Sequence, residues 1–215
     1  MNIAAIYRDR FVERTGIDSR DRVWRTLCRS FFDDLIGPSK AVLDLGCGYG
    51  EFINNIRSSE KFALDLNPDA AKYLASDVRF LRHPADLIPL TDESVDVVFA
   101  SNFLEHLPDK QACSAVFQEV RRVLAPGGRF IVLGPNIRFA YREYWNWFDN
   151  FLPLSDRSLC EGLRQAGFTV VTSVPRFLPV TMEGRAPPAW MIAAYLALPF
   201  VWPLFGKQFL VVARR

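Results

Sequence analysis

The chain has 215 residues, half of them hydrophobic, and a formal net charge of +2. That length and apolar share suit one α/β domain, residues 1–215, with a full core. A near-neutral balance argues against a protein built mainly to hold polyanionic nucleic acid. Four cysteines without a CxxC pair argue against a zinc site or a disulfide framework, and fit a reducing cytoplasm.

The first residues, Met1 to Arg8, are too short and too early charged for a secretory signal. Seven arginines between Arg8 and Arg29 alternate with Asp9, Glu13, Asp18 and Asp21, which reads as a solvated helix face rather than a basic rim. A helix is expected over 20–36, because Val23, Trp24, Leu27, Phe31 and Leu35 share one face, and Gly37-Pro38 stops it. Residues 1–38 thus form a helical addition, and its charged Tyr7 to Arg14 stretch is expected to fold as a lid over a bound ligand.

Strands are expected at 41–45, 62–66, 78–81, 95–100, 129–133, 168–174 and 208–213. Between them fall a faintly helical stretch at 51–56, a short helix from Asp69, an amphipathic helix at 109–124 and a helix at 156–166. Ser155 is the expected N-cap of the last, and Gly167 its C-cap. Alternating strands and helices imply a mostly parallel sheet covered on both faces.

The first strand delivers the chain into Asp44-Leu45-Gly46-Cys47-Gly48-Tyr49-Gly50. A strand, a glycine turn and a following apolar stretch form a nucleotide-type binding loop. The dinucleotide fingerprint fails because Glu51 stands where its third glycine belongs, and no Gly-Lys-Ser/Thr follows for a P-loop. An acid, Asp65, closes the second strand, where a carboxylate can accept from both hydroxyls of a ribose. An Asp at 86 could accept from an exocyclic amine.

This Asp-x-Gly-x-Gly-x-Gly loop resembles motif I of the class I S-adenosylmethionine (SAM) methyltransferases. Phe62 to Pro68 resembles motif II, Ala85 to Leu90 the adenine stretch, and Ser94 to Val98 with Asn102 to Leu107 motif IV. Glu119 to Arg129 resembles the family's helix, turn and fifth strand. The resemblance covers roughly residues 40–175. It implies a Rossmann-like seven-stranded sheet with its last strand antiparallel. It also implies SAM as cofactor, with S-adenosylhomocysteine as product. The cofactor would be held by Asp44, Gly46, Gly48, Gly50, Asp65, Leu66, Asp86, Leu87 and Asn102. His106, oriented by Glu105, is the candidate general base. No metal is expected.

Residues 136–154 form an aromatic-rich insert, in which Tyr141, Tyr144, Trp145 and Phe148 have helical spacing and are the candidate acceptor contacts. The stretch also resembles bacterial methyltransferases of surface-polysaccharide and glycolipid synthesis. The implied reaction is O-methylation of a small-molecule, glycan or glycolipid acceptor. The alternatives are a silent SAM-binding protein and an RNA methyltransferase. Residues 186–206 carry no charge and are interrupted by four prolines. They suit a peripheral membrane contact, at the inner membrane of a cytoplasmic protein, or a homodimer contact.

Overall fold

The computed structural model describes residues 17–38, 40–179 and 186–215. The lid expected over Tyr7 to Arg14 lies outside the described residues. Helix α1 (Ile17–Leu27) runs through a π-helical turn (Cys28–Phe32) into α2 (Asp33–Ile36). Gly37, with φ +87°, ends the run and donates to the Asp33 carbonyl. Arg129, far along the chain, donates to the last carbonyls, of Leu35 and Ile36. These acceptors have no helical partner, so the contact ties this helix to the sheet.

Seven strands form one sheet: β1 (Ala41–Leu45), β2 (Glu60–Leu64), β3 (Val78–Leu81), β4 (Val95–Ser101), β5 (Leu124–Pro135), β6 (Thr169–Val174) and β7 (Gln208–Arg214). Their order is β3-β2-β1-β4-β5-β7-β6. The first five run parallel, while β7 is antiparallel to both β5 and β6. The expected sheet, with its antiparallel last strand, is therefore present.

Several expected elements differ: β2 runs over Glu60–Leu64 rather than 62–66, so Asp65 and Leu66 follow the strand. Pro126-Gly127-Gly128 does not stand outside the fifth strand but lies within it. Val95 pairs with Leu124 and Val97 already with Arg129, so these residues form an irregularity in the ladder. The 51–56 stretch is a series of hydrogen-bonded turns rather than an α-helix. Asn54 and Asn55 explain this locally. Asn54 bonds the Tyr73 carbonyl and the Ala75 N–H, and Asn55 bonds Asp21 and the Glu51 carbonyl. Such side-chain bonds compete with a helix.

Helices cover both faces. On one, α3 (Lys110–Val123) and α5 (Asp156–Gln165) bury Val116, Val120, Leu159 and Leu163 against the sheet. Asp109 caps α3, and Ser155 caps α5 in a capping box with Ser158. On the other face, α1 and α6 (Ala189–Ala197) pack over Val42, Val97 and Ile131. An aromatic cluster fills this second core. Phe52 stacks on Phe99 at 3.7 Å, and Phe32 and Trp24 meet the Phe99 ring edge-on at 5.2 and 6.0 Å. Short helices α4 (Ile137–Ala140) and α7 (Trp202–Phe205) complete the α-helices described, and 3-10 turns lie at Pro68–Lys72, Leu104–His106, Tyr144–Asn146 and Pro199–Val201.

Phe99 touches rings from three segments, so its loss leaves a cavity none of them can close. Phe99→Ala should cost about 3–5 kcal/mol of stability. Urea unfolding measures it, and a loss under about 1 kcal/mol would show that this cluster does not hold the helical layer to the sheet.

Candidate active site

The sheet order reverses between β1 and β4: the chain moves outward through β2 and β3, then returns to the other side of β1. In open α/β sheets the crevice at the carboxyl ends of such strands receives ligands. A cavity of about 340 Å³ opens there, walled by Gly46 after β1, Asp65 after β2, His83 and Asp86 after β3, Phe103 and His106 after β4, and Asp149.

The glycine loop is shaped by close approach. Gly46 has φ +73°, and a Cβ there would meet the Phe103 ring at 2.4 Å. Gly50 has φ +81°, and a Cβ would meet Leu74 at the same distance. The left-handed conformation disfavours another residue at both positions, and at Gly46 the Phe103 ring also blocks the space. Asp65 holds the loop in place: its carboxylate accepts from Gly48 N–H at 2.9 Å and from Asn67 N–H at 2.8 Å. Burial raises its pKa, and the backbone N–H groups oppose that rise.

Asp44 and Glu51 are buried beside it. Asp44 is pushed well above its ordinary value, first by burial and then by the Glu51 and Asp65 charges, while the Ile53 N–H pulls the other way. Asp44 thus also ties the turn that follows the loop. Arg20 of α1 donates to Glu51 at 2.6 Å. A pocket with this density of buried carboxylates favours a ligand bearing positive charge and hydroxyl donors.

The loop from Pro84 to Asp92 is stapled to α3. Glu119 accepts from Ile88 N–H, and Arg122 donates to the Ile88 and Leu90 carbonyls and to Asp92, each near 2.8–2.9 Å. This holds Asp86 at the cavity wall. At the opposite wall, His106 Nδ1 lies 2.8 Å from the Asp149 carbonyl oxygen and 3.5 Å from its carboxylate. A carbonyl only accepts, so Nδ1 carries the hydrogen, and Nε2 is the nitrogen of a neutral ring able to take a proton.

Of the residues read from the sequence, Gly46, Asp65, Leu66, Asp86 and His106 wall the cavity. Asp44, Gly48 and Gly50 support it from the loop. Leu87 and Asn102 are exposed and are not among its walls. Asn102, at φ +48°, instead turns the chain after β4. The aromatic acceptor set is corrected in part. Tyr144 is 1% exposed, its phenol raised by burial and by Glu105, so it belongs to the interior. Tyr141, Trp145 and Phe148 are exposed, the last at 88%, and none walls the cavity. Asp149, from the aromatic insert, contacts the His106 ring, a partner the sequence did not single out. His83 and Phe103, given no role by the sequence, are also walls.

Residues 43–132 match a family described as "Methyltransferase domain". The chain is 30% identical over 155 residues to the biotin biosynthesis bifunctional protein BioHC of Cellvibrio japonicus, covering 62% of this chain and 28% of that protein. It is 29% identical over 153 residues to the malonyl-[acyl-carrier protein] O-methyltransferase of Methylococcus capsulatus, covering 63% and 54%. The chain thus spans about half or less of these curated relatives. A solved SAM-dependent methyltransferase from Archaeoglobus fulgidus shares the fold, with a TM-score of 0.70, 20% identity and full coverage of both chains.

The raised Asp44 carboxyl makes folding pH-dependent. The folded protein holds this proton more tightly than the unfolded chain, whose carboxyl keeps its ordinary value of 3.8. As the pH climbs from there through the raised value, the ligand-free protein therefore loses stability. Asp44→Asn should flatten that decline in thermal melts taken across the pH range. A decline as steep in the variant would reject the assignment.

Proposed function

We propose that the chain is a class I SAM-dependent methyltransferase, as its match over residues 43–132 and its curated relatives support, and that it transfers the methyl group of SAM to a hydroxyl oxygen of a small-molecule, glycan or glycolipid acceptor. One observation carries this reading. His106, its Nδ1 engaged by Asp149, shares a cavity with Asp65 and the glycine loop. A proton acceptor and a cofactor cradle in one cavity are what hydroxyl methylation needs.

The residues fit the cofactor. The bare Gly46 backbone walls the cavity beside Asp65, and the buried carboxylates suit its ammonium and ribose hydroxyls. Asp44 would face the ammonium, Asp65 the ribose and Asp86 the adenine amine. When bound, SAM supplies a methyl group on a good leaving group, so the protein has little bond chemistry to do. The walls exclude water and align acceptor and donor. His106 Nε2 takes the hydroxyl proton as the oxygen becomes nucleophilic, and Asp149 holds the ring in the tautomer that permits it. The exposed Tyr141, Trp145 and Phe148 offer flat apolar surfaces beside polar groups, which suit stacking on a sugar ring. Four buried free cysteines support a cytoplasmic setting.

Two measurements test the proposal. Calorimetry should show S-adenosylhomocysteine binding to the wild type, and Asp65→Ala should weaken it by about 1.5–3 kcal/mol, the scale of bonds to a charged group. Absence of wild-type binding would end the reading. With methyl-labelled SAM and a cell extract as acceptor source, His106→Ala should lower label transfer by about 10²–10⁴-fold while keeping product affinity. Binding without transfer by the wild type would mark a SAM-binding protein. A small effect of His106→Ala would make the histidine structural.

A further inference from the structure

We propose that the outer face of α6 and α7, with the cations beside it, docks on an anionic lipid bilayer. Helix α6 is apolar all round, yet it buries only Ile192 and Leu196. Its solvent face consists of Trp190, Met191, Ala194, Ala197 and Leu198, all exposed, with Trp190 at 71%. Phe200, Leu204 and Phe205 continue that surface past the helix, Phe200 at 73%. The contrast within this protein is direct. Helices α3 and α5 turn charged residues such as Lys110, Glu161 and Arg164 away from the core, as water-facing helices do. Ala186 to Gly206 offers no charge at all.

The segment lies on a surface and does not cross a bilayer. Among the described residues no helix is long and apolar enough to span a membrane. Helix α6 has nine residues, and its buried face is pinned to the protein: Tyr195 donates to the Phe177 carbonyl, and Trp202 Nε1 to the Tyr195 carbonyl.

Charge selects the occupant. Arg176 donates to the Leu204 and Gly206 carbonyls at the end of α7, and its guanidinium lies 5.0 Å from the Phe139 ring. Lys207 pairs with Glu143, which brings Arg142 to the same border. Arg142 and Lys207 both act on the single Glu143 carboxylate, and Arg176 forms no ion pair among the described residues, so the cations of this border outnumber its acid. An apolar, tryptophan-bearing face bordered by a surplus of positive charge complements acyl chains below and anionic headgroups above. A second copy complements it poorly. A two-fold contact sets the patch against itself, and Ala186 to Gly206 holds no carboxylate to meet the bordering cations.

Sedimentation of the full chain with vesicles tests this, using phosphatidylglycerol mixed with phosphatidylcholine and phosphatidylcholine alone. Binding to the anionic vesicles is expected, with a blue shift of tryptophan emission that Trp190→Phe diminishes while binding persists. The double variant Trp190→Ser/Phe200→Ser should abolish sedimentation. Arg142→Glu should weaken it by about fivefold or more. Both variants alter exposed positions, and unchanged thermal melts will confirm their folding. No sedimentation of the wild type, or equal sedimentation with neutral vesicles and with the variants, would overturn the proposal. So would a wild-type dimer that fails to bind vesicles and that the double variant returns to monomer.

Discussion

The Asp65 carboxylate holds the site together. It sits where β2 ends and reaches across to the Gly48 N–H, so the loop after β1 and the turn after β2 share one anchor. The Gly46 and Cys47 N–H groups add a second link by donating to the Leu64 carbonyl at the end of β2. The arrangement has a cost, because a buried acid is a costly group to keep charged. Backbone N–H groups offset it for Asp65, but Asp44 lies deeper and is pushed further. The site therefore stores negative charge that a cationic ligand would relieve, and binding strength and folding stability draw on the same carboxylates.

The second organising feature is the staple behind the Pro84–Asp92 loop. Loops at sheet edges tend to move, and this one carries a cavity wall. Arg122 engages two of its carbonyls and Asp92, while Glu119 takes the Ile88 N–H. Both side chains come from a helix whose other face is locked into the core. The rigidity of α3 is thereby passed to the loop, and a flexible connection becomes a fixed surface.

The sheet was legible in the sequence because its strands are short apolar runs closed by glycine, proline or acid. The glycine loop and Asp65 were legible for the same reason, since both sit where a strand must stop. What escaped was set by side-chain partners distant along the chain. Turns replace a helix after Gly50 because two asparagines find partners elsewhere, among them Asp21 and Tyr73. Helical spacing in the aromatic insert could not tell which ring is interior: Tyr144 is buried beside Glu105, while Phe148 faces solvent. Asp149 was beyond reach, because its contact with His106 joins residues 43 apart. The only signal was a buried-type acid within an aromatic run, which composition alone does not separate from a surface residue.

The strand order also sets a schedule for the chain as it is made. β6 has a single partner strand, β7, which lies between it and β5. A ribosome delivers β6 first, then the apolar stretch containing α6 and α7, and only then the strand that admits β6 to the sheet. Throughout that interval the edge of β5 stays open, and β6 carries unpaired backbone groups. The most water-averse part of the chain emerges during this same interval. Nascent protein at this stage is therefore at its most prone to mispairing, and the closing of the sheet is the event that ends the exposure.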